Sequence, residues 1–330
     1  MRRAFRMLPA LICSVAAVCG AWYSLAVLEA QPNQFQFVVG ATDGSGTPVT
    51  DLKTNEIVMT ENGAPGTILK VEPYRVPVKV TLAVDNSPDS RDAISHYRTG
   101  LSGLVKALPP DVEVTVISTA PQPRTIISAS IDRVKIERAI NGFGPDDERP
   151  RFTDTIVEFS QRLEKELRNR KGVPDSVPVL VMVSTTANEV TSYQVPEVEK
   201  ALNFLVSRKA RLMVAVTSTS AGAALRKAGD LQGAADATGV GDLNTNRQSL
   251  IAIPTVKQTR GRYESIAVSS RLATLLPEFG RDIAALHNAH VNQVRVTVER
   301  ANNATGPFNN LRVELARPGL IGKVSADGMQ

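Results

Sequence analysis

The chain has 330 residues, of which 42% are hydrophobic, 22% are charged and only 5% are aromatic. This length allows one to three globular domains, and the composition excludes an intrinsically disordered chain. The net charge of +5 is modest, and Lys and Arg are scattered among Asp and Glu, which argues against a nucleic-acid-binding protein.

The N-terminal segment is typical of an export signal. The basic stretch MRRAFR precedes an uncharged apolar run over residues 7–28, and a cut after Ala26 satisfies the small-residue rule. The run is long for a signal peptide, so the alternative is an uncleaved membrane anchor. Cys13 and Cys19 are the two cysteines, so the mature chain would have no thiol and no disulfide. We expect residues 1–30 to be the signal or anchor, and the protein to be exported to the periplasm, the cell envelope or the medium.

Residues 31–76 predict a small β-unit. FQFVVGATD is typical of a strand, and GSGTP of a turn. Asn62-Gly63 is a strong hairpin signal between two further strands, because both residues tolerate the left-handed backbone of a tight turn. The pattern changes at residue 77, so this β-unit is distinct from the residues after it.

Residues 77–288 alternate apolar strands with amphipathic helices. VKVTLAV, VPVLVMV and ARLMVAV are continuous apolar runs, typical of strands buried on both faces of a parallel sheet. Helical spacing separates them; one helix is predicted to begin with Thr153 or Asp154 as N-cap, and another to be interrupted at Pro254. Residues 221–246 are rich in Ala and Gly and predict a loop with short helical turns. The fold class is therefore α/β, with a doubly wound, mostly parallel sheet.

Residues 289–330 return to strand alternation. QVRVTVE and NLRVELA flank NNATGPFN and predict a C-terminal β-hairpin. The two β segments flank the α/β unit in sequence. They are therefore expected to pack together as one small β-unit, with the α/β unit inserted between them.

Polar side chains follow the first buried strand directly. Asp85, Ser87 and Asp89 lie in the stretch DNSPD, where ligands bind at the carboxyl edge of an open α/β sheet. Aspartate and serine are also common turn formers, because their oxygens accept backbone N–H bonds. The residues alone therefore allow either a metal site or a polar turn.

The order of segments resembles that of a von Willebrand factor A domain in secreted bacterial proteins of the VWFA-related type. Asp85-x-Ser87-x-Asp89 stands where that family has Asp-x-Ser-x-Ser, and RFTDTIVEF resembles the start of its long helix, with Thr153 at the matching position. RGRYESIAVSSRLATLLPEFGRDI resembles its final strand and helix, and NNLRVELARPGLIGKVSADG its closing strands. The resemblance covers most of residues 35–328.

This resemblance implies a metal-ion-dependent adhesion site built from three loops, holding Mg²⁺ (or Ca²⁺ or Mn²⁺) through oxygen ligands. The candidate ligands are Asp85, Ser87, Asp89 and Thr153. The third loop departs from the family, which has Thr-Asp-Gly there; this chain has STTANE, with no acid before Glu189. We expect a degenerate site in which Asp89 or Glu189 replaces the missing charge, or a metal-free loop in which the polar residues only brace the turn.

The sequence shows no pattern for catalysis. GxSxG, P-loop and HExxH motifs are all missing, so we expect no enzyme, no catalytic residues and no organic cofactor. His287 and His290 are neighbours on a predicted helix, but two imidazoles without a third ligand do not predict a zinc site. They are more typical of a polar helix end.

The expected function is that of an exported, adhesion-type protein-binding module. The partner would be another protein, contacted through residues 85–92, 145–154 and 184–194, with a weak divalent ion as an option. The alternative is a metal-free scaffold protein of the bacterial cell envelope that binds through its β-unit. No nucleic acid is expected as a partner, and a membrane only if the N-terminal segment is uncleaved.

Overall fold

The structure, a computed structural model, describes residues 34–172, 174–187, 189–218, 243–301 and 310–325. The predicted export signal over residues 1–30 lies outside the described residues, as does most of the loop predicted for residues 221–246. Within the described ranges, no helix is both long and apolar enough to cross a membrane.

A six-stranded sheet forms the centre of the α/β unit. Its strands are β5 (Val78–Val84), β6 (Glu113–Ser118), β7 (Arg124–Ser130), β8 (Val177–Thr185), β9 (Arg211–Thr217) and β10 (Arg262–Ile266). They are ordered β10-β9-β8-β5-β6-β7, and all pairs are parallel except the edge pair β6–β7. This is the doubly wound 3-2-1-4-5-6 order. The predicted α/β class with a mostly parallel sheet is confirmed.

Six helices among the described residues cover both faces of this sheet. They are α1 (Ile94–Ala107), α2 (Arg133–Gly142), α3 (Phe152–Asn169), α4 (Val195–Ser207), α5 (Leu243–Gln258) and α6 (Leu272–Val291). Helices α1, α2 and α6 pack on one face, and α3, α4 and α5 on the other. Along β8, Val181 points to the first layer and Leu180 and Met182 to the second. The continuous apolar run of this strand is explained by burial on both sides.

Two antiparallel sheets form the β-unit, and they combine strands from both sides of the α/β unit. The strands are β1 (Gln34–Thr42), β2 (Ile57–Glu61), β3 (Ala64–Pro65), β4 (Thr67–Tyr74), β11 (Gln293–Glu299), β12 (Leu311–Leu315) and β13 (Ile321–Ser325). One sheet has the order β13-β1-β11-β4 and the other β12-β2-β3. Phe37 of β1 lies opposite Val296 of β11, and both side chains are fully buried. The predicted β-unit from both chain ends is confirmed.

The turn between β2 and β3 is the one that Asn62-Gly63 predicts. Asn62 has φ +49° and Gly63 φ +82°, and Glu61 pairs with Ala64 across the turn. Both central residues occupy the left-handed region, as a two-residue hairpin of this type requires.

The predicted C-terminal hairpin of QVRVTVE and NLRVELA is wrong. The first segment is β11, which lies between β1 and β4, so both of its edges are already paired. The second is β12, which pairs with β2 in the other sheet. Local alternation identified both strands correctly but held no information about their partners.

A buried ion pair joins the two sheets of the β-unit. Glu61 is the last residue of β2, and Arg300 follows β11 directly. The Arg300 Nε donates to Glu61 Oε2 at 2.6 Å, and its guanidinium lies over the Phe35 ring, 4.6 Å from the centroid. Both charged residues are buried.

Two short connections link the β-unit to the α/β unit. One, residues 75–77, runs from β4 to β5, and the other is Asn292, between α6 and β11. The Val76 N–H donates to the carbonyl of His290 at 3.2 Å, so the two connections are also hydrogen-bonded to each other.

His287 is buried at the start of the central sheet. Its Nδ1 accepts the N–H of Val78 at 3.3 Å, which places the proton on Nε2, 3.2 Å from Asp111 Oδ2. The expectation of a polar helix end is wrong for this histidine. The ring instead satisfies the first buried backbone donor of β5.

Replacing His287 with Leu should lower the free energy of unfolding by about 1–3 kcal/mol, because the buried Val78 N–H loses its acceptor. Urea unfolding followed by circular dichroism measures this. The matched change Asp111→Asn should cost less than about 0.5 kcal/mol, because that side chain is mostly exposed. Equal stability of His287→Leu and the wild type would contradict the assignment.

Candidate functional site

Three loops meet where the sheet reverses its order, beyond the carboxyl ends of β5 and β8. They are residues 85–92 (first loop), 145–154 (second loop) and 184–194 (third loop). The Asp146 N–H donates to the Asn86 carbonyl at 2.6 Å, and the Val190 N–H to the Pro150 carbonyl at 3.1 Å. These bonds tie the second loop to the first and the third loop to the second.

Asp85 is the fully buried centre of this edge. Its Oδ1 accepts the Ser87 N–H at 2.9 Å. Its Oδ2 accepts three bonds from the third loop, namely the N–H of Thr185 at 3.1 Å, the Thr185 hydroxyl at 3.0 Å and the Ser184 hydroxyl at 3.3 Å. Burial raises the pKa of Asp85, and the polar groups of Ser87 and Thr185 oppose that rise. The Ser-Thr pair of the third loop thus binds the carboxylate of the first loop.

Glu189 reaches the start of α3 from the third loop. The Thr153 N–H donates to Glu189 Oε2 at 2.8 Å, and the Thr153 hydroxyl donates to Oε1 at 2.6 Å. Glu189 is only 6% exposed. A carboxylate is favoured there because the first N–H groups of a helix have no acceptor within the helix.

The predicted N-cap of α3 is therefore wrong. The helix begins at Phe152 and its N-cap is Arg151, whose side chain makes no capping bond. Thr153 and Asp154 lie inside the first turn, and Glu189 supplies the acceptor. No local pattern reveals this, because the acceptor lies 36 residues away in sequence.

Asp154 makes a second connection between α3 and the third loop, a role that the sequence did not indicate. Its carboxylate accepts the Thr191 hydroxyl at 2.6 Å, the Ser192 N–H at 3.0 Å and an N–H of Arg151 at 3.0 Å. The side chain is buried. No local pattern reveals this role, because the Thr191 and Ser192 partners lie 37 and 38 residues away in sequence.

The remaining two candidate residues, Ser87 and Asp89, have opposite surroundings. Ser87 is fully buried, and its hydroxyl lies near Asp85 but makes no hydrogen bond of regular geometry. Asp89 is exposed in a short 3-10 turn, Pro88–Ala93. The structure therefore groups Asp85 and Ser87 with the third loop, and Thr153 with Glu189, while Asp89 lies at the surface.

The donor types of this edge fit a hard divalent ion. Asp85 and Glu189 offer carboxylate oxygens, and Ser87 and Thr153 offer hydroxyl oxygens, which are the ligands that Mg²⁺ and Ca²⁺ prefer. Of these candidate ligands, Ser87 has a buried hydroxyl that a ligand would satisfy; the hydroxyls of Ser118 and Thr119, at the end of β6, are also buried without a hydrogen bond. In the described part of the chain, no three His, Cys, Asp or Glu side chains group around a common metal position. The role of all these residues as metal ligands stays a prediction.

An apolar groove opens beside Thr153, and no sequence pattern predicted it. It lies between α4 and α5 and has a volume of about 570 Å³. Thr153 and Thr191 line the end nearest the three loops. Helix α5 continues through Pro254, against the prediction of an interruption, and Pro254 itself lines the groove.

Comparisons with known proteins give likenesses of fold at low identity. No family model and no curated protein matches the chain. The conserved hypothetical protein BatB from Bacteroides thetaiotaomicron is 14% identical, with 63% of this chain and 98% of that chain covered and a TM-score of 0.41. An aerotolerance-related membrane protein from Bacteroides fragilis NCTC 9343 is 13% identical, with 62% and 99% covered and a TM-score of 0.39.

A third similar structure is that of a von Willebrand factor type A protein from Catenulispora acidiphila. It is 8% identical, with 90% of this chain and 74% of that chain covered and a TM-score of 0.44. Likenesses this distant say nothing about function. The strand order and the helix layers of the chain itself confirm the predicted von Willebrand factor A-like fold.

Proposed function

We propose that this chain is an exported protein-binding module that contacts another protein at the edge formed by the first, second and third loops. The observation that carries the proposal is the apolar surface beside these loops. Val190, Val195, Leu250 and Ile253 are between 38% and 63% exposed, and two of them line the groove. Clustered apolar side chains at a rim of polar loops are typical of protein interaction sites.

The chemistry of the loops supports binding rather than catalysis. Asp85, Asp154 and Glu189 are buried acids, and each accepts hydrogen bonds that hold one loop to another element. Acids used in this way give the rim a defined shape before a partner arrives, which lowers the entropic cost of association. Export rests on the composition of residues 1–30.

A photo-crosslinking amino acid placed at the rim tests this function. Asp92, Asp147 and Val195 are exposed positions on or next to the three loops, and Arg312 and Glu314 are exposed control positions on β12. In the native source cells, the rim positions should crosslink one common protein and the β12 positions should not. Crosslinks from β12 alone would contradict the proposal.

The second candidate function is binding through the β-unit. It is favoured by exposed apolar side chains there, namely Val58 on β2 and Ile321 and Val324 on β13. The same experiment separates the two, because crosslinks confined to the β-unit would support a scaffold protein of the cell envelope. Binding of that kind would also be independent of any ion.

A divalent ion at the rim is part of the proposal, held by Ser87 and Thr153 hydroxyls with Asp85 and Glu189 as the carboxylates. It would supply a Lewis-acid site for an oxygen of the partner. Because Asp85 Oδ2 already accepts three bonds, the ion competes with internal donors, and we expect weak affinity.

Calorimetric titration of the full chain with Mg²⁺, Mn²⁺ and Ca²⁺ should give saturable heat with a Kd on the order of 10⁻⁴–10⁻³ M. Ser87→Ala should abolish the heat and leave the melting temperature without ions unchanged, because this hydroxyl has no regular hydrogen bond to lose. Asp85→Ala is a poorer probe, because it leaves buried donors unpaired. Undiminished heat in Ser87→Ala would overturn the assignment of Ser87 as a ligand. If the wild type gives no heat, the proposed ion is ruled out, and the proposal of protein binding is unaffected.

A further inference from the structure

The groove between α4 and α5 has the size and lining of a recognition pocket. Its volume of about 570 Å³ falls within the range of roughly 300–1,000 Å³ that is usual for ligand sites. Val198 and Leu202 of α4 line one wall, and Ile251 and Pro254 of α5 line the other. The groove can therefore take up several apolar side chains of an extended or helical segment.

Apolar side chains also continue from the groove onto the open surface. Val195 is 63% exposed and Leu250 is 54% exposed, and both belong to the lining. Thr191 and Thr153 extend the lining to the third loop and the start of α3. A partner bound at the three loops would thus cover the groove as well.

The charge of the lining has one sign. Of the described residues that line the groove, Glu199 is the acidic one, and none is Lys or Arg. Tyr193 also lines the groove. The pKa of its phenol is raised first by burial and then by the carboxylates of Glu158 and Asp154. Carboxylates are therefore the charged groups that act on this part of the lining.

Nearby cations offset the effect of burial and Asp154 on Glu158 only in part. Arg162 and Arg151 oppose the rise in the pKa of Glu158, which burial and Asp154 still keep above its ordinary value. Arg151 is itself bonded to Asp154 at 3.0 Å. The carboxylate of Glu199 remains at the lining for an incoming cation.

Pro254 also affects the backbone of the wall that α5 forms. Pro254 has no N–H, so the carbonyl of Leu250, four residues earlier in α5, lacks its helix hydrogen bond. Leu250 lines the groove. The lining thus combines an apolar floor with the carboxylate of Glu199, and a ligand that covers this carboxylate must supply a donor to match it.

We infer that the α4–α5 groove binds an apolar peptide segment of the partner that carries a Lys or Arg side chain. The apolar residues of the segment fill the space between Val198, Leu202, Ile251 and Pro254, and its cation lies at Glu199. A purely apolar segment would leave Glu199 desolvated without a partner, and an acidic one would be repelled. The inference rests on the proposed function, because the same partner occupies the three loops.

Two fluorescently labelled amphipathic peptides of about 14 residues test the inference on the full chain. They share their Leu positions, and one has Lys where the other has Glu. Fluorescence anisotropy near physiological salt should show saturable binding of the Lys peptide, with a Kd at least tenfold lower than that of the Glu peptide. Binding of neither peptide, or equal binding of both, would overturn the inference.

Matched variants locate the binding. Glu199→Lys and Leu250→Ser should each weaken binding of the Lys peptide at least fivefold. Glu166→Lys, an exposed acid near the other end of α3, and Val134→Ser, a 67% exposed apolar residue on α2, should leave it unchanged. Equal losses of peptide affinity in Glu166→Lys and Glu199→Lys would show that binding depends only on overall charge. That result would contradict the assignment of the cation site to Glu199.

The proposed partner site at the three loops and the proposed peptide site in the groove can be contradicted independently. Crosslinks from Asp92 and Asp147 without peptide binding would keep the rim as the partner site and remove the groove. Peptide binding that depends on Glu199, without a crosslink from Asp92 or Asp147, would keep the groove and remove the rim. Circular dichroism of Glu199→Lys and Leu250→Ser excludes misfolding as the cause of a loss, since both side chains are exposed.

Discussion

Replacing Arg300 with Met should lower the free energy of unfolding by about 3–5 kcal/mol. The change leaves the Glu61 carboxylate buried without its charged partner. It also removes the guanidinium from the face of Phe35. Guanidinium chloride unfolding, followed by circular dichroism, measures the loss.

The double variant Arg300→Met, Glu61→Leu is the control. Apolar side chains of similar volume in place of a buried ion pair are often tolerated, because two desolvated charges disappear together. We therefore expect the double variant to be more stable than Arg300→Met alone by at least about 2 kcal/mol. Additive losses in the two single variants would show that the pair is not coupled.

Replacing Gly261 with Ala should cost about 3 kcal/mol or more, because a Cβ atom there has no space. It would lie 1.7 Å from the carbonyl oxygen of Leu212 in β9. The neighbour is backbone in a central strand, so neither side can give way. The Gly261 N–H also bonds to the Val256 carbonyl at 2.8 Å, which closes the turn at the end of α5.

Gly142→Ala is the matched control. Gly142 is the last residue of α2, and a Cβ atom there would meet no neighbouring group within 4 Å, so Ala should be neutral or stabilise by up to about 1 kcal/mol. Thermal unfolding of both variants under one set of conditions compares them directly. A Gly261→Ala protein as stable as Gly142→Ala would contradict the close approach of the α5–β10 turn to β9.

The sequence predicts this fold where the signal is local or periodic. Continuous apolar runs predict the strands of the parallel sheet because burial on both faces removes alternation. The Asn62-Gly63 turn is predictable because its residues match a backbone that few others tolerate. The partner of β12 is not predictable in this way, because an alternating strand can pair with any free sheet edge. β11 has no free edge, since it pairs with both β1 and β4.

The candidate site is predictable only in its outline. Asp85 and Thr153 lie in loops that the resemblance brings together, and the structure shows these loops in contact. The bonds themselves depend on residues far apart in sequence: Thr185 is 100 residues from Asp85, and Glu189 is 36 residues from Thr153. The groove is less predictable still, because it depends on the packing of α4 against α5 around Pro254, which a sequence pattern marks only as a helix breaker.

The double connection between the β-unit and the α/β unit has a mechanical consequence. A single linker lets two bodies swivel, whereas two short connections that are hydrogen-bonded to each other, Val76 to His290, resist rotation about either one. A pulling force on the three loops, at the opposite end of the sheet, would then be transmitted to the β-unit as torque. The molecule would therefore respond to such a force as one stiff body that pivots at the two hydrogen-bonded connections.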